Sequence, residues 1–119
     1  MEVELRHLRA FVAVAASNSF TRAADRLFIT QPALTRTIRQ LESLVGAALI
    51  DRDTHPISLT PAGEEFLPYA SRILSHLEIG VGMVRKHANI SLGFAGASSG
   101  FSKMVDSSAR YGVQNYPVS

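Results

Sequence analysis

Cysteine is absent from the 119 residues. That excludes disulfide staples, thiolate-bearing zinc sites and thiol nucleophiles, and it fits a reducing compartment, so a cytoplasmic location is expected. Long apolar runs are absent too. The longest, Ala10 to Ala16 and Leu44 to Ile50, have seven residues each, against roughly 20 for a membrane span. The first nine residues carry Glu2, Glu4, Arg6 and Arg9, a pattern unlike a signal peptide. No Gly-x-Ser-x-Gly elbow and no His-Glu-x-x-His helix occurs, and Gly93 to Gly100 lacks the lysine of a phosphate loop. The histidines His7, His55, His76 and His87 do not fall at metal-ligand spacing. Neither an enzyme, nor a metal site, nor a cofactor is expected.

Lysine is nearly absent as well. Residues 1–85 contain only arginine as strong base, and Lys86 and Lys103 are the sole lysines. Arginine presents a planar fork suited to phosphate or guanine, although a general preference for Arg over Lys gives the same composition. The net charge of +2 is too small to decide. Hydrophobic residues make up 46% of the chain, enough for a packed core.

The apolar residues Leu5, Leu8, Phe11, Val12 and Ala15 form a helical stripe within Leu5 to Ala16, and Ser17-Asn18-Ser19 breaks it. A short helix from Phe20 to Leu27 follows, with Ser19 or Thr21 as N-cap. Phe20, Ala23, Ala24 and Leu27 face inward on it, the alanines allowing close helix approach. Phe28-Ile29-Thr30 is a tight joint. Thr30 then caps a third helix with Pro32 in its first turn and Gly46 as its stop. Its buried stripe is Leu34, Ile38, Leu41 and Val45. Two short helices joined so tightly describe a helix-turn-helix. Leu49 to Asp51 and Ile57 to Leu59 then read as two strands around the turn Asp53-Thr54-His55-Pro56, a wing.

Thr60-Pro61 announces a fourth helix, expected to reach about Lys86. At 1.5 Å per residue it is roughly 39 Å long. Leu67, Ala70, Leu74, Leu77, Val81 and Val84 repeat along it at spacings of three and four, a heptad seam. A seam on so long a helix asks for a partner, and a second copy is the simplest one. The same seam also fits packing against the chain's own helices. Pro68 is expected to bend this helix, and Gly80 and Gly82 to soften its end. Ile90 to Ala95 reads as a strand, Gly96 to Gly100 as a loop and Phe101 to Tyr111 as a short helix, the opening of a further domain.

On the third helix, the face opposite the buried stripe shows Gln31, Thr35, Arg36 and Arg39. Glutamine pairs bidentately with adenine, arginine with guanine or phosphate, and the threonine methyl meets that of thymine. Such a face near a helix N-terminus suits a major groove. In isolation it is equally an ordinary solvated face. The preceding helix and turn and the following wing favour double-stranded DNA as the partner.

Five segments carry a family resemblance. They are Phe11-Val12-Ala13-Val14-Ala15, Ser19-Phe20-Thr21-Arg22-Ala23-Ala24, Gln31-Pro32-Ala33-Leu34-Thr35, Ile38-Arg39-Gln40-Leu41-Glu42 and Leu59-Thr60-Pro61-Ala62-Gly63. Together they resemble the LysR-type transcriptional regulators, densely from Leu5 to Arg72. The resemblance implies a winged helix-turn-helix, a linker helix that pairs two subunits, and regulation at dyad-related promoter sites. It places base-reading roles on Gln31, Pro32, Ala33, Thr35 and Arg36. Phosphate contacts fall on Ser19, Thr21, Arg22, Arg39 and Arg52. Arg52 has a structural rival role, pairing with Asp51 or Asp53. The wing departs from the family pattern: where arginines often stand, this chain has Thr54-His55-Pro56. His55 can donate to phosphate, or it is simply an exposed loop histidine. Ile90 to Ala95 resembles the first strand of the family's inducer domain, and Ser98-Ser99 falls where ligand is often touched. Nearly all of that pocket is absent from the sequence, so no small-molecule inducer is expected to bind.

The expected architecture is therefore mainly α. A winged helix-turn-helix of three helices and a β-hairpin spans 1–60, a long dimerisation helix spans 61–87, and an inducer-domain remnant spans 88–119. The expected function is sequence-specific binding of dyad-symmetric DNA by a homodimer paired through Leu67, Ala70, Leu74, Leu77, Val81 and Val84. The alternative is a dimerisation partner that forms mixed dimers with a full-length regulator and modulates it.

Overall fold

The structure, a computed structural model, describes residues 2–92. Its elements are α1 (Leu5–Ser17), α2 (Phe20–Leu27), α3 (Gln31–Val45), β1 (Ile50–Asp51), β2 (Ser58–Leu59) and α4 (Pro61–Leu92). The mainly helical class and the winged helix-turn-helix order agree with the sequence. The chain divides into two compact units, Met1–Leu74 and Ser75–Ser119. The first holds α1 to β2 and the start of α4; the second is described through the remainder of α4 alone.

The helix ends follow from local chemistry. Asn18 closes α1 at φ 52°, its N–H donating to the Val14 carbonyl at 2.8 Å. Asparagine is among the few residues that enter this left-handed region readily. The Ser19 hydroxyl caps α2 by accepting from the Arg22 N–H at 3.2 Å. Of the two caps left open by the sequence, Ser19 is thus the one used. Thr30 caps α3 by accepting from the Ala33 N–H at 3.3 Å, and Gly46 ends it at φ 81°. Thr60 accepts from the Gly63 N–H at 3.0 Å and donates to the Ala48 carbonyl at 2.6 Å, tying the start of α4 to the segment between α3 and β1. Gly63 is required there: a Cβ would run into the Leu49 carbonyl.

The core of the first unit is built where α1, α2 and α3 meet. Phe11, Leu34, Ile38 and Leu41 are fully buried, each worth about 1.5–3 kcal/mol relative to exposure. Ala23 and Ala24 are buried on α2, with Phe20 and Leu27 packed at the edge. The start of α4 closes this core. Ala70 is buried, and Phe66 sets its ring 5.6 Å from that of Phe11. β1 and β2 pair antiparallel, Ile50 opposite Leu59 and Asp51 opposite Ser58.

Four expectations are corrected. The buried face of α1 is His7, Leu8, Ala10, Phe11 and Val14; Leu5 is 36% exposed, and Val12 and Ala15 are only half-buried. At 3.6 residues per turn this face is rotated by about a quarter turn from the expected one, because α1 packs on both α2 and α3. The strands are each one residue shorter, Ile50–Asp51 and Ser58–Leu59, and the Leu49 N–H donates to a Glu42 carboxylate oxygen at 2.8 Å. Helix α4 continues past Lys86 to Leu92, so Ile90 to Leu92 are helical rather than strand. His87-Ala88-Asn89 holds no glycine or proline to stop propagation. Finally, three residues of the expected dimer seam are used within the chain. Ala70 is fully buried, and Leu67 and Leu74 pack against the same core. Pro68 lies inside α4 without ending it. The loop at Gly96 to Gly100, with Ser98 and Ser99, and the helix at Phe101 to Tyr111 lie outside the described residues.

Candidate nucleic-acid interface

The cap at Thr30 and the fixed φ of Pro32 start α3 sharply, so that its first turn carries Gln31, Pro32 and Ala33 at a defined position beside α2. The inward stripe of Leu34, Ile38 and Leu41 anchors the helix and sets the opposite side outward. Gln31, Pro32, Arg36 and Arg39 are exposed, and Thr35 is half-buried. These five line one open groove together with the chain entering α1. The structure therefore brings these five residues to one side of α3.

Two helices contribute to the groove's edge. The Thr21 hydroxyl of α2 donates to Gln31 Oε1 at 3.2 Å, which orients the glutamine at the start of α3. Ala33 is half-buried; its N–H is capped by Thr30, and its carbonyl accepts from the Thr37 hydroxyl at 3.0 Å. Ser19 already accepts one hydrogen bond as the cap of α2, leaving its O–H free to donate. Arg22 is exposed on α2, outside the groove's lining.

Arg52 is placed differently from expectation. Its partner is neither Asp51 nor Asp53 but Glu42 of α3. Nη1 donates to Oε2 at 3.4 Å, and Nη2 stands 3.3 Å from Oε1 as an ion pair without hydrogen-bond alignment. Its guanidinium also lies 5.4 Å from the Phe20 ring centroid. Asp51 instead accepts from the Asp53 N–H at 3.0 Å. On the wing, His55 is exposed, and Thr54 and Ser58 hydroxyls bridge the hairpin at 2.8 Å.

Sequence reasoning missed the groove's other wall. Arg6, His7 and Gln40 line it, with Glu2, Glu4, Ser43 and Leu44. Gln40 Oε1 accepts from Arg6 Nη1 at 3.2 Å and faces His7 Nε2 at 3.4 Å. His7 is the one buried polar side chain among the described residues, and its Nδ1 accepts from the Glu4 N–H at 2.9 Å. The available signal was a histidine three residues after the N-cap Glu4, where a side chain reaches back to the N-cap amide.

A three-helix core, an outward Gln/Thr/Arg face on the third helix, and a short hairpin after it define a winged helix-turn-helix DNA-binding domain. Residues 5–64 match the profile of the bacterial regulatory helix-turn-helix proteins of the lysR family. The chain belongs to that family, one of transcriptional regulators rather than enzymes.

Over 99 residues the chain is 43% identical to the transcriptional regulator BenM of Acinetobacter baylyi, covering 80% of this chain and 33% of that protein. It is 40% identical to the regulator BudR of Klebsiella aerogenes, covering 98% of this chain and 85% of that one. A crystal structure of the BenM DNA-binding domain in complex with benA site 1 DNA superposes with a TM-score of 0.69 at 46% identity, over 72% of this chain and 97% of that one. The chain thus spans about a third of the length of BenM. No helix among the described residues is long and apolar enough to cross a membrane.

Proposed function

We propose that two copies of this chain pair through α4 and bind dyad-symmetric promoter DNA sequence-specifically, thereby regulating transcription. The carrying observation is the groove face of α3, where Gln31, Pro32, Thr35, Arg36 and Arg39 stand together at the start of a helix anchored from behind. In this reading α3 enters the major groove. Gln31, Pro32, Ala33, Thr35 and Arg36 meet base edges, and Arg39, Arg22, Thr21 and Ser19 hold phosphates. Arg52 acts structurally, through Glu42 and Phe20, and His55 stands exposed on the wing as an auxiliary phosphate donor. The pairing surface is Leu77, Val81 and Val84, which are exposed in the second unit. The BenM complex with DNA supports the binding mode.

The test is a titration of purified chain into a duplex bearing an inverted repeat from beside its own gene, and into a shuffled duplex, at several salt concentrations. Tighter binding to the repeat, above a steeply salt-dependent background, is expected. Arg36→Ala should cost about 1–3 kcal/mol and relax preference at one base position. Absence of binding to either duplex at low salt would overturn the reading and favour a mixed-dimer partner instead.

A further inference from the structure

We infer that Arg6, at the start of α1, is a further phosphate-contacting residue of the DNA interface. This rests on the DNA-reading proposal above and extends it to an element outside the helix-turn-helix. Arg6 lines the same groove as Arg36 and Arg39. Its side chain is 52% exposed, yet it is held in place: Nε donates to Glu4 Oε1 at 3.1 Å and Nη1 to Gln40 Oε1 at 3.2 Å. Behind Gln40 stands His7, only 2% exposed. Because Nδ1 accepts from the Glu4 N–H, the neutral ring carries its proton on Nε2. That N–H faces Gln40 Oε1 at 3.4 Å. The carboxamide oxygen is thereby turned toward Arg6, and a buried histidine fixes the posture of an exposed arginine.

Two consequences point to phosphate as the ligand. A free surface arginine loses rotamer freedom when it docks, and the two contacts of Arg6 reduce that loss. Glu4 takes up the Nε edge of the guanidinium as an ion pair and offsets part of its charge, so what is left for DNA is a directed N–H donor. A guanidinium has five N–H donors, and Nη2 has no acceptor in these contacts, so it is available to a DNA backbone oxygen beside those held by Arg39. Arg6 thus adds affinity without reading sequence, and Gln40 and His7 are positioning residues that act through it.

The experiment compares the parent chain with Arg6→Ala, Arg6→Gln, Arg6→Lys and, as control, Arg36→Ala, on the inverted-repeat and shuffled duplexes at 50 and 200 mM salt. Thermal unfolding confirms that each variant is folded. Arg6→Gln keeps a donor for Gln40 and so preserves the local structure if Arg6→Ala does not. Each phosphate contact makes affinity fall about 3.5-fold over this fourfold salt rise. Loss of Arg6 should therefore weaken both duplexes alike and reduce the salt-dependent fall by about 3.5-fold per chain, and Arg6→Lys should restore most of it. Parent-like binding by Arg6→Ala and Arg6→Gln at both salts would overturn the inference, as would weakening confined to the inverted repeat. If the parent binds neither duplex, the DNA-reading proposal itself fails. If Arg36→Ala weakens binding while the Arg6 variants match the parent, only the present inference fails.

Discussion

Glu42 shows how much a single side chain can organise. Its Oε2 accepts from the N–H groups of Leu49 and Ile50 at 2.8 and 3.2 Å, and the carboxylate faces Arg52. Helix α3 is thereby joined to the root of the wing, and the pair is largely enclosed, with 12% of the Glu42 side chain and 28% of that of Arg52 exposed. Truncation would strand two amides and a guanidinium together. Glu42→Ala is expected to destabilise the fold by about 2–3 kcal/mol, read as a lower urea midpoint. Glu42→Gln, which keeps an acceptor, should lose about half as much. Equal midpoints for Glu42→Ala and the parent would mean that water replaces the carboxylate at no cost. None of this was legible beforehand. Asp51 and Asp53 were the obvious partners for Arg52 by sequence distance, but the hairpin commits Asp51 to the Asp53 amide. The true partner comes from ten residues upstream, on another element. By contrast, Gln31, Thr35, Arg36 and Arg39 were legible as one face because helix periodicity alone places them there. Arg6 and Gln40 were not, because only the packing of α1 on α3 brings them together.

Among the elements, local capping chemistry read well and packing read poorly. Ser19, Thr30, Gly46 and Thr60 each end or start the helix that the sequence assigned to them. A cap's signature is complete within four residues, which is why it survives in the sequence. Thr30 matters most for the interface, since it sets the first turn of α3. Thr30→Ala should cost about 1 kcal/mol in thermal or urea unfolding; Thr30→Ser, which keeps the acceptor, should stay near the parent. The face of α1 was misjudged because its apolar residues span more of the helix than one stripe, and only contact with both α2 and α3 selects between faces. Gly63 is an element-scale constraint of the opposite kind. It read as one residue of a motif, yet its role is steric: α4 passes so near the Leu49 carbonyl that no side chain fits. Gly63→Ala is expected to destabilise by about 1–3 kcal/mol through forced displacement of that backbone. An unchanged unfolding midpoint would show that α4 shifts freely at its start.

At the scale of the molecule, the heptad seam of α4 divides by burial. Leu67, Ala70 and Leu74 complete the core of the first unit. Leu77 and Val81, each 38% exposed, and Val84, 70% exposed, belong to the second unit. Spacing alone left both uses open, since a row at intervals of three and four looks the same whether it faces its own chain or a partner. Burial separates them. Single exposed apolar residues are unremarkable on any protein, but three at helical spacing on one helix form a row that water covers poorly. A second copy laid across a two-fold axis would cover it with the same row, the isologous solution that closes at two subunits. Such a pair carries two α3 helices, one for each half of a dyad-symmetric site. The parent is therefore expected to sediment as a dimer and the double variant Leu77→Asp, Val84→Asp at monomer mass, with the unfolding midpoint of the first unit preserved. The variant's affinity for the inverted repeat should fall by about a hundredfold or more as the second half-site ceases to be an intramolecular partner, while binding to a single half-site is retained. A variant that still sediments as a dimer would move the interface off this row. A monomeric variant that kept full affinity for the repeat would separate pairing from site recognition and leave α3 of one chain as the whole of the reading surface.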